Sequence, residues 1–147
     1  MSFKQMNILL ADDDMDDCNF FIKALKAVPK DLHHTIVHDG EQLMNYLSEN
    51  LENLPHVLFL DINMPRKNGF ECLAEIKQNE KLKNLPVVMF STTNLQDKIH
   101  TLFESGADVY LRKPSDFPEL VQAIHHALPI ATENSFSKGK LKYILNA

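Results

Sequence analysis

A chain of 147 residues, 44% hydrophobic and 24% charged, suits one globular domain with one core. Its net charge of −5 argues against nucleic acid as a direct partner, because phosphate backbones favour basic surfaces. No apolar run approaches the ~18 residues of a membrane span, acids interrupt the N-terminus before a secretory signal forms, and Cys18 and Cys72 make no disulfide framework, so neither membrane insertion nor export is expected and the cytoplasm is the expected compartment.

The first element is the apolar run Ile8-Leu9-Leu10-Ala11, which ends in Asp12-Asp13. Asp14 or a neighbour can cap the helix that follows, whose stripe is Phe20, Phe21, Ala24, Leu25 and Val28, stopped by Pro29. Asp14, Asp16 and Asp17 lie where acids complement the positive end of a helix dipole, and helix-start work is their expected role. A second run, Thr35-Ile36-Val37, precedes a stripe of Leu43, Met44 and Leu47. The third, Val57-Leu58-Phe59-Leu60, ends in Asp61; a turn containing Pro65 and Gly69 leads to Phe70, Leu73, Ala74 and Ile76. The fourth, Val87-Val88-Met89-Phe90, ends in Ser91 and precedes Leu95, Ile99, Leu102 and Phe103, closed by Gly106. The fifth, Val109-Tyr110-Leu111, is followed by Lys113-Pro114. Asp116 and Pro118 then open a last helix with Phe117, Leu120, Val121, Ile124 and Leu128, closed by Pro129.

Runs that are apolar throughout, such as the first, third and fourth, suit parallel strands covered on both faces. Five β-α repeats with short connections predict a doubly wound α/β domain over residues 1–130. Residues 131–147 read as a tail, too short for an ordinary output domain, with Lys138, Lys140 and Lys142 beside Leu141, Tyr143, Ile144 and Leu145. Such a tail can fray, or dock on a partner, on a second subunit or on the domain's own surface.

The polar residues fall at strand ends. In an open parallel sheet these ends share one edge, where such folds bind ligands. Asp12, Asp13, Asp61, Ser91 and Lys113 therefore converge. Two carboxylates about 5 Å apart repel by roughly 3 kcal/mol at an effective dielectric near 20. Lys113 offsets one charge, so the cluster wants a cation, and oxygen-only ligands on rigid strand ends suit Mg²⁺. A divalent ion and a lysine around a free carboxylate also suit an incoming phosphoryl group, whose charge must be neutralised during transfer.

ADDD at 11–14, LDINMPRKNG at 60–69, Ser91-Thr92 and Tyr110-Leu-Arg-Lys-Pro114 resemble the receiver domains of two-component response regulators. The resemblance covers about residues 5–128, in four separated motifs with the right order and spacing. Single-domain regulators paired with phytochrome-type sensor kinases look nearest, through HDGEQLMNYL at 38–47 and DINMPRKNG at 61–69.

The resemblance implies a flavodoxin-like five-stranded parallel sheet of order 2-1-3-4-5 with helices on both faces. It implies that Asp61 takes a phosphoryl group from a sensor histidine kinase, a histidine phosphotransfer domain or a small phosphodonor. Asp13, Asp61 and the main-chain carbonyl of Asn63 would bind Mg²⁺ or Mn²⁺, with Asp12 acting through a bound water. Lys113 would pair with Asp61 and then with the phosphoryl oxygens, and a cis Lys113–Pro114 bond would hold it in place. Ser91 is the switch hydroxyl, Thr92 offers a backbone N–H, and Tyr110 turns inward when Ser91 moves. Asn63 and Thr93 sit where the family tunes hydrolysis of the acyl phosphate. The surface of the fourth helical stretch, fifth strand and fifth helical stretch would change with phosphorylation, and a homodimer through it is compatible with the resemblance. Ser91 in place of the commoner threonine predicts a less sharply coupled switch, and Ser115 stands where many relatives carry an apolar residue. Such a protein phosphorylates and slowly dephosphorylates itself but turns over no external substrate, so it is not an enzyme, and no attached output domain is expected.

Other readings explain less. Asp12-x-Asp14-x-Asp16 resembles the start of a calcium-binding loop, but that loop needs glycine at 17 and glutamate at 23, where Asp17 and Lys23 stand. A haloacid-dehalogenase phosphatase would use Asp12 as nucleophile and leaves Asp61 at a strand end unexplained. No glycine- and threonine-rich phosphate loop follows the first strand, as a flavin-binding flavodoxin requires. Intact acids, hydroxyl and lysine argue against a receiver-like domain that only binds.

Overall fold

The structure, a computed structural model, describes residues 5–91, 106–134 and 143–145, with side chains over 5–91 and 106–132. Its strands are β1 (Met6–Ala11), β2 (Leu32–Val37), β3 (Val57–Asp61), β4 (Val87–Ser91), β5 (Val109–Arg112) and β6 (Tyr143–Leu145). Its helices, among the described residues, are α1 (Met15–Ala27), α2 (Gly40–Glu49), α3 (Gly69–Gln78) and α4 (Phe117–Asn134). The fourth helical stretch of the sequence, with Leu95, Ile99, Leu102 and Phe103, lies outside the described residues, as do Thr92, Thr93, Lys138, Lys140, Leu141 and Lys142.

The strands form one parallel sheet in the order β2-β1-β3-β4-β5-β6. The expected 2-1-3-4-5 order is present, and β6 extends it along β5. Successive strand residues point to opposite faces, and the core divides accordingly. Ile8, Leu10, Phe59, Phe90 and Leu111 face α1 and α4, packed with Phe21, Leu25, Leu120, Ile124 and Leu128. Leu9, Leu58, Leu60, Met89 and Tyr110 face the other way, packed with Leu43, Leu47, Leu73 and Ile76 of α2 and α3. Burial on both faces explains why the central runs are apolar without alternation. On edge strand β2 only Val37 is buried, and His33, His34 and Thr35 are exposed; the strand starts at Leu32, three residues ahead of the run read from the sequence, because pairing with Met6–Ala11 sets its bounds.

Two departures concern the C-terminal part. Pro129 does not stop the last helix, which runs to Asn134. Proline removes the donor that the His125 carbonyl would use, yet Ala127, Leu128 and Ala131 continue the buried stripe of Leu120 and Ile124 across it. Packing of that stripe outweighs the local signal. The tail, in turn, returns to the domain: β6 pairs with β5 in the register Val109↔Tyr143, Tyr110↔Ile144 and Leu111↔Leu145.

Candidate functional site

Strand register stacks the site residues like steps. Ala11 is level with Leu60, Asp61 with Phe90, and Ser91 with Arg112. Asp12 therefore emerges beside Asp61, Ser91 lies one residue past Asp61, and Lys113 one past Ser91. Period two directs Asp12, Asp61 and Lys113 toward α1, whereas Ser91 and Tyr110 share the opposite face.

Carboxylate oxygens of Asp12, Asp13 and Asp61 all lie within 4.8 Å of one another. Asp12 is fully buried and Asp61 nearly so, while Asp13 is exposed. The Asp12 backbone is clamped: its N–H donates to the Val37 carbonyl at 3.0 Å, and its carbonyl accepts from Cys18 Sγ at 3.4 Å and faces His38 Nδ1 at 3.1 Å. Its side chain is engaged too, with Oδ1 accepting the Asp14 N–H at 3.0 Å and Oδ2 accepting from Lys113 Nζ at 2.7 Å. A carboxylate so enclosed is a poor nucleophile, which disposes of the phosphatase reading. Three hard oxygen donors at one rim, opposed by a single ammonium, have the composition of a divalent-cation site.

Electrostatics mark the cluster. Burial pushes the Asp61 carboxyl up to about 7; Lys113 opposes the rise, and the neighbouring Asp12 reinforces it. A backbone hydrogen bond from Asn63 works in the lowering direction. Burial acts to lower the pKa of Lys113, but its hydrogen bond to Asp12 and the charges of Asp61 and Asp12 raise it on balance. Lys113 also reaches Asp17 Oδ2 at 2.9 Å and stands 3.7 Å from Asp61 Oδ1.

The loop between β3 and α3 closes the far side. The Gly69 N–H donates to the Ile62 carbonyl at 2.8 Å. Gly69 lies so close to the site that a Cβ there would come 2.4 Å from the Asp61 carbonyl oxygen. Arg66 takes φ 69°, a left-handed conformation that costs a non-glycine residue roughly 1–2 kcal/mol. Its guanidinium lies 3.4 Å from Asp39, the N-cap of α2.

Comparison with known proteins agrees with this geometry. The response regulator receiver domain family matches residues 8–125. The chain belongs to that family. The response regulator Rcp1 of Synechocystis sp. is 35% identical over 121 residues, covering 80% of this chain and 82% of Rcp1. A crystal structure of the Mn²⁺-bound form of Rcp1 superposes with a TM-score of 0.74 at 31% identity, covering 92% of this chain and 96% of that one. The phosphorylated cyanobacterial phytochrome response regulator RcpA gives 0.77 at 30% identity, covering 87% and 94%. This receiver thus has the role of a phosphorelay component, in a family whose members interact with kinases or phosphotransfer partners. No described helix is long and apolar enough to cross a membrane.

The receiver's structure unites Asp12, Asp13, Asp61 and Lys113 and puts Ser91 at the adjoining strand end; Thr92 is outside the described residues. Tyr110 is buried in β5 between Met89 and Ile144. The Lys113–Pro114 bond is trans, contrary to expectation. Trans is the lower-energy isomer by about 0.5–1 kcal/mol, and Lys113 is held by other means: its N–H donates to the Ser91 carbonyl at 2.8 Å and its ammonium to Asp12 and Asp17.

Asp17, expected to serve only the helix start, is the residue that the motifs missed; its link to Lys113 spans 96 positions. A signal was present. Asp17 precedes Phe21 by four residues and Ala24 by seven, so it lies on the apolar stripe of α1, where an unpartnered acid is out of place. His38 and Cys18, which hold the Asp12 carbonyl, carried no comparable signal.

Proposed function

We propose that this receiver accepts a phosphoryl group on Asp61, with Mg²⁺ bound by Asp13, Asp61 and the Asn63 carbonyl and with Asp12 assisting. The observation that carries the reading is the grouping of Asp12, Asp13 and Asp61 within 4.8 Å at a sheet edge, with Lys113 beside them. An Asp61 oxygen forms a bond to phosphorus as the donor's P–N bond breaks, and the leaving imidazole keeps the electron pair. When bound, the cation neutralises charge on the transferring phosphoryl oxygens. Lys113 meets the same oxygens from the other side. Ser91 and the Thr92 N–H then hydrogen-bond the phosphoryl group, and Tyr110 adjusts to the movement of Ser91. Ser91 and Tyr110 pointing to one face of the sheet supports that coupling. Phosphate shifts an equilibrium between two shapes by its preference for one of them.

The donor is a sensor histidine kinase or a phosphotransfer domain, and the compartment is the cytoplasm. The chain catalyses its own phosphorylation and slow dephosphorylation only. A cavity of about 390 Å³ between α1 and the loop after β5, lined by Asp17, Phe20, Phe90, Leu120 and Pro114, reaches Lys113, the ion-pair partner of Asp61, and supports donor docking on that side of the site. Phe117, an exposed large apolar side chain, meets the lining residue Phe20 edge to face with ring centroids 5.8 Å apart. The net charge of −5 argues against direct nucleic-acid binding, and a homodimer is the assembly this reading allows.

Intact mass spectrometry after incubation with acetyl phosphate and Mg²⁺ tests the assignment. One phosphoryl group is expected on the native protein and none on Asp61→Asn. Labelling that survives the substitution would falsify Asp61 as the acceptor.

A further inference from the structure

Lys113 is surrounded by three carboxylates and an aromatic ring. Asp12 and Asp17 accept hydrogen bonds from it at 2.7 and 2.9 Å, whereas Asp61, at 3.7 Å, is an ion-pair partner beyond hydrogen-bond reach. The Phe90 ring closes another side, with its centroid 5.2 Å from Nζ. The ammonium's hydrogen bonds therefore go to Asp12 and to Asp17 of α1, and Asp61 is left with an ion pair alone.

The place of Asp17 is set by the helix. Its N–H is bound to the Asp14 side chain at 3.0 Å, which fixes the first turn of α1. One turn later, on the same stripe, Phe21 is buried against Phe59 and Phe90 in edge-to-face contacts with centroids at 5.0 and 5.5 Å. Those contacts pin α1 to β3 and β4, and Asp17 must then face the end of β5. Its side chain is 37% exposed, whereas that of Lys113 is 8% exposed. A capping box does not occupy Asp17, although its position in α1 corresponds to that of Glu71 in α3, where such a box is complete. The carboxylate, in the first turn of α1, is turned to Lys113 and not back to the N-cap.

We propose that Asp17 is a positioning residue that competes with Asp61 for Lys113 and holds the lysine back from the acceptor until phosphoryl transfer. The inference rests on Asp61 being the acceptor. In transfer from acetyl phosphate, an Asp61 oxygen bonds to phosphorus as the P–O bond to acetate breaks, and acetate leaves with the electron pair. Lys113 must turn to the incoming phosphoryl oxygens and give up Asp17 on the way. Asp17 thereby slows the switch.

The test is the rate of acetyl-phosphate labelling at saturating Mg²⁺, followed by intact mass. Asp17→Asn is expected to label roughly three- to tenfold faster, the rate equivalent of one net hydrogen bond. Asp17→Ser, checked for folding by circular dichroism and thermal melting, is expected to accelerate likewise. In a Lys113→Met background, where labelling is slow, Asp17→Asn is expected to change nothing, because its action runs through the lysine. A purely structural role for Asp17 predicts slower labelling or none. An unchanged or slower rate in both folded variants, or an equal change with and without Lys113, overturns the proposal. Failure of the native protein to label, or labelling of Asp61→Asn, instead overturns the acceptor reading on which it stands.

Discussion

The starts of α1 and α3 both adjoin the site, and they are tied to it differently. Each has an N-cap side chain that accepts the N–H three residues on: Asp14 from Asp17 at 3.0 Å, Asn68 from Glu71 at 2.9 Å. In α3 the acid returns the favour, Glu71 accepting the Asn68 N–H at 2.9 Å, and Gly69 fits against the Asp61 carbonyl with no room for a methyl group. In α1 the acid reaches across to Lys113 instead, and the first residue, Met15, is exposed. The α3 end is joined to Asp61 by shape, the α1 end to Lys113 by charge. Shape is indifferent to ions and protons. Charge can be reset by whatever enters the site.

Breaking the charge link should have the largest effect on stability. Lys113→Met leaves fully buried Asp12 without its cation, and loss of one partner from a buried pair costs about 3–5 kcal/mol. Urea denaturation in chelator measures it. A loss below about 1 kcal/mol, the range of surface pairs, would mean that Asp12 is screened as an exposed acid is.

Adding Mg²⁺ sharpens the contrast. At a hundredfold excess over Kd, binding to the native state alone adds about 2.7 kcal/mol. Hydrogen exchange should slow more at the start of α1 than at the start of α3; equal slowing at both ends would erase the distinction. Acidity works on the same link. Asp61 titrates at about 7 in the fold against an ordinary 3.8, so between those values the native chain holds a proton that the unfolded chain has lost. Metal-free stability should therefore fall as pH rises from about 4 to 7, and saturating Mg²⁺ should flatten that slope. Thermal melting across that pH range, with and without the ion, reads both.

The shape link is tested by Gly69→Ala. Its methyl must displace the Asp61 carbonyl or the loop, an overpacking worth about 2 kcal/mol. Acetyl-phosphate labelling should slow with it, since Asp61, the proposed acceptor, shifts, and the stability loss should be the same with and without salt. A salt-dependent loss would assign this end to charge as well.

Much of this was legible in the sequence because burial on two faces leaves an unambiguous trace. Val57 to Leu60 and Val87 to Phe90 are apolar at every position, and the polar residue that ends each run marks the sheet edge. Legibility failed where one signal carried two meanings. Pro129 reads as a helix stop, but Ala131 continues the stripe beyond it and the helix with it. Asp17 reads as a dipole partner because acids are common at helix starts; that it faces Lys113 depends on how Phe21 seats α1. The expected cis bond before Pro114 belonged to the resemblance, and no local residue demanded it. The return of Tyr143–Leu145 to β5 depends on which sheet edge is open, and that is fixed only once the strand order is.

That last strand bears on how the protein should be handled. Tyr110 pairs with Ile144, three residues before Ala147. A tag or fluorescent protein placed beyond β6 pulls on a three-residue ribbon beside Tyr110, whereas one placed ahead of β1 leads into a strand flanked by β2 and β3. Reporters therefore belong ahead of β1, because one placed beyond β6 loads the strand that carries Tyr110.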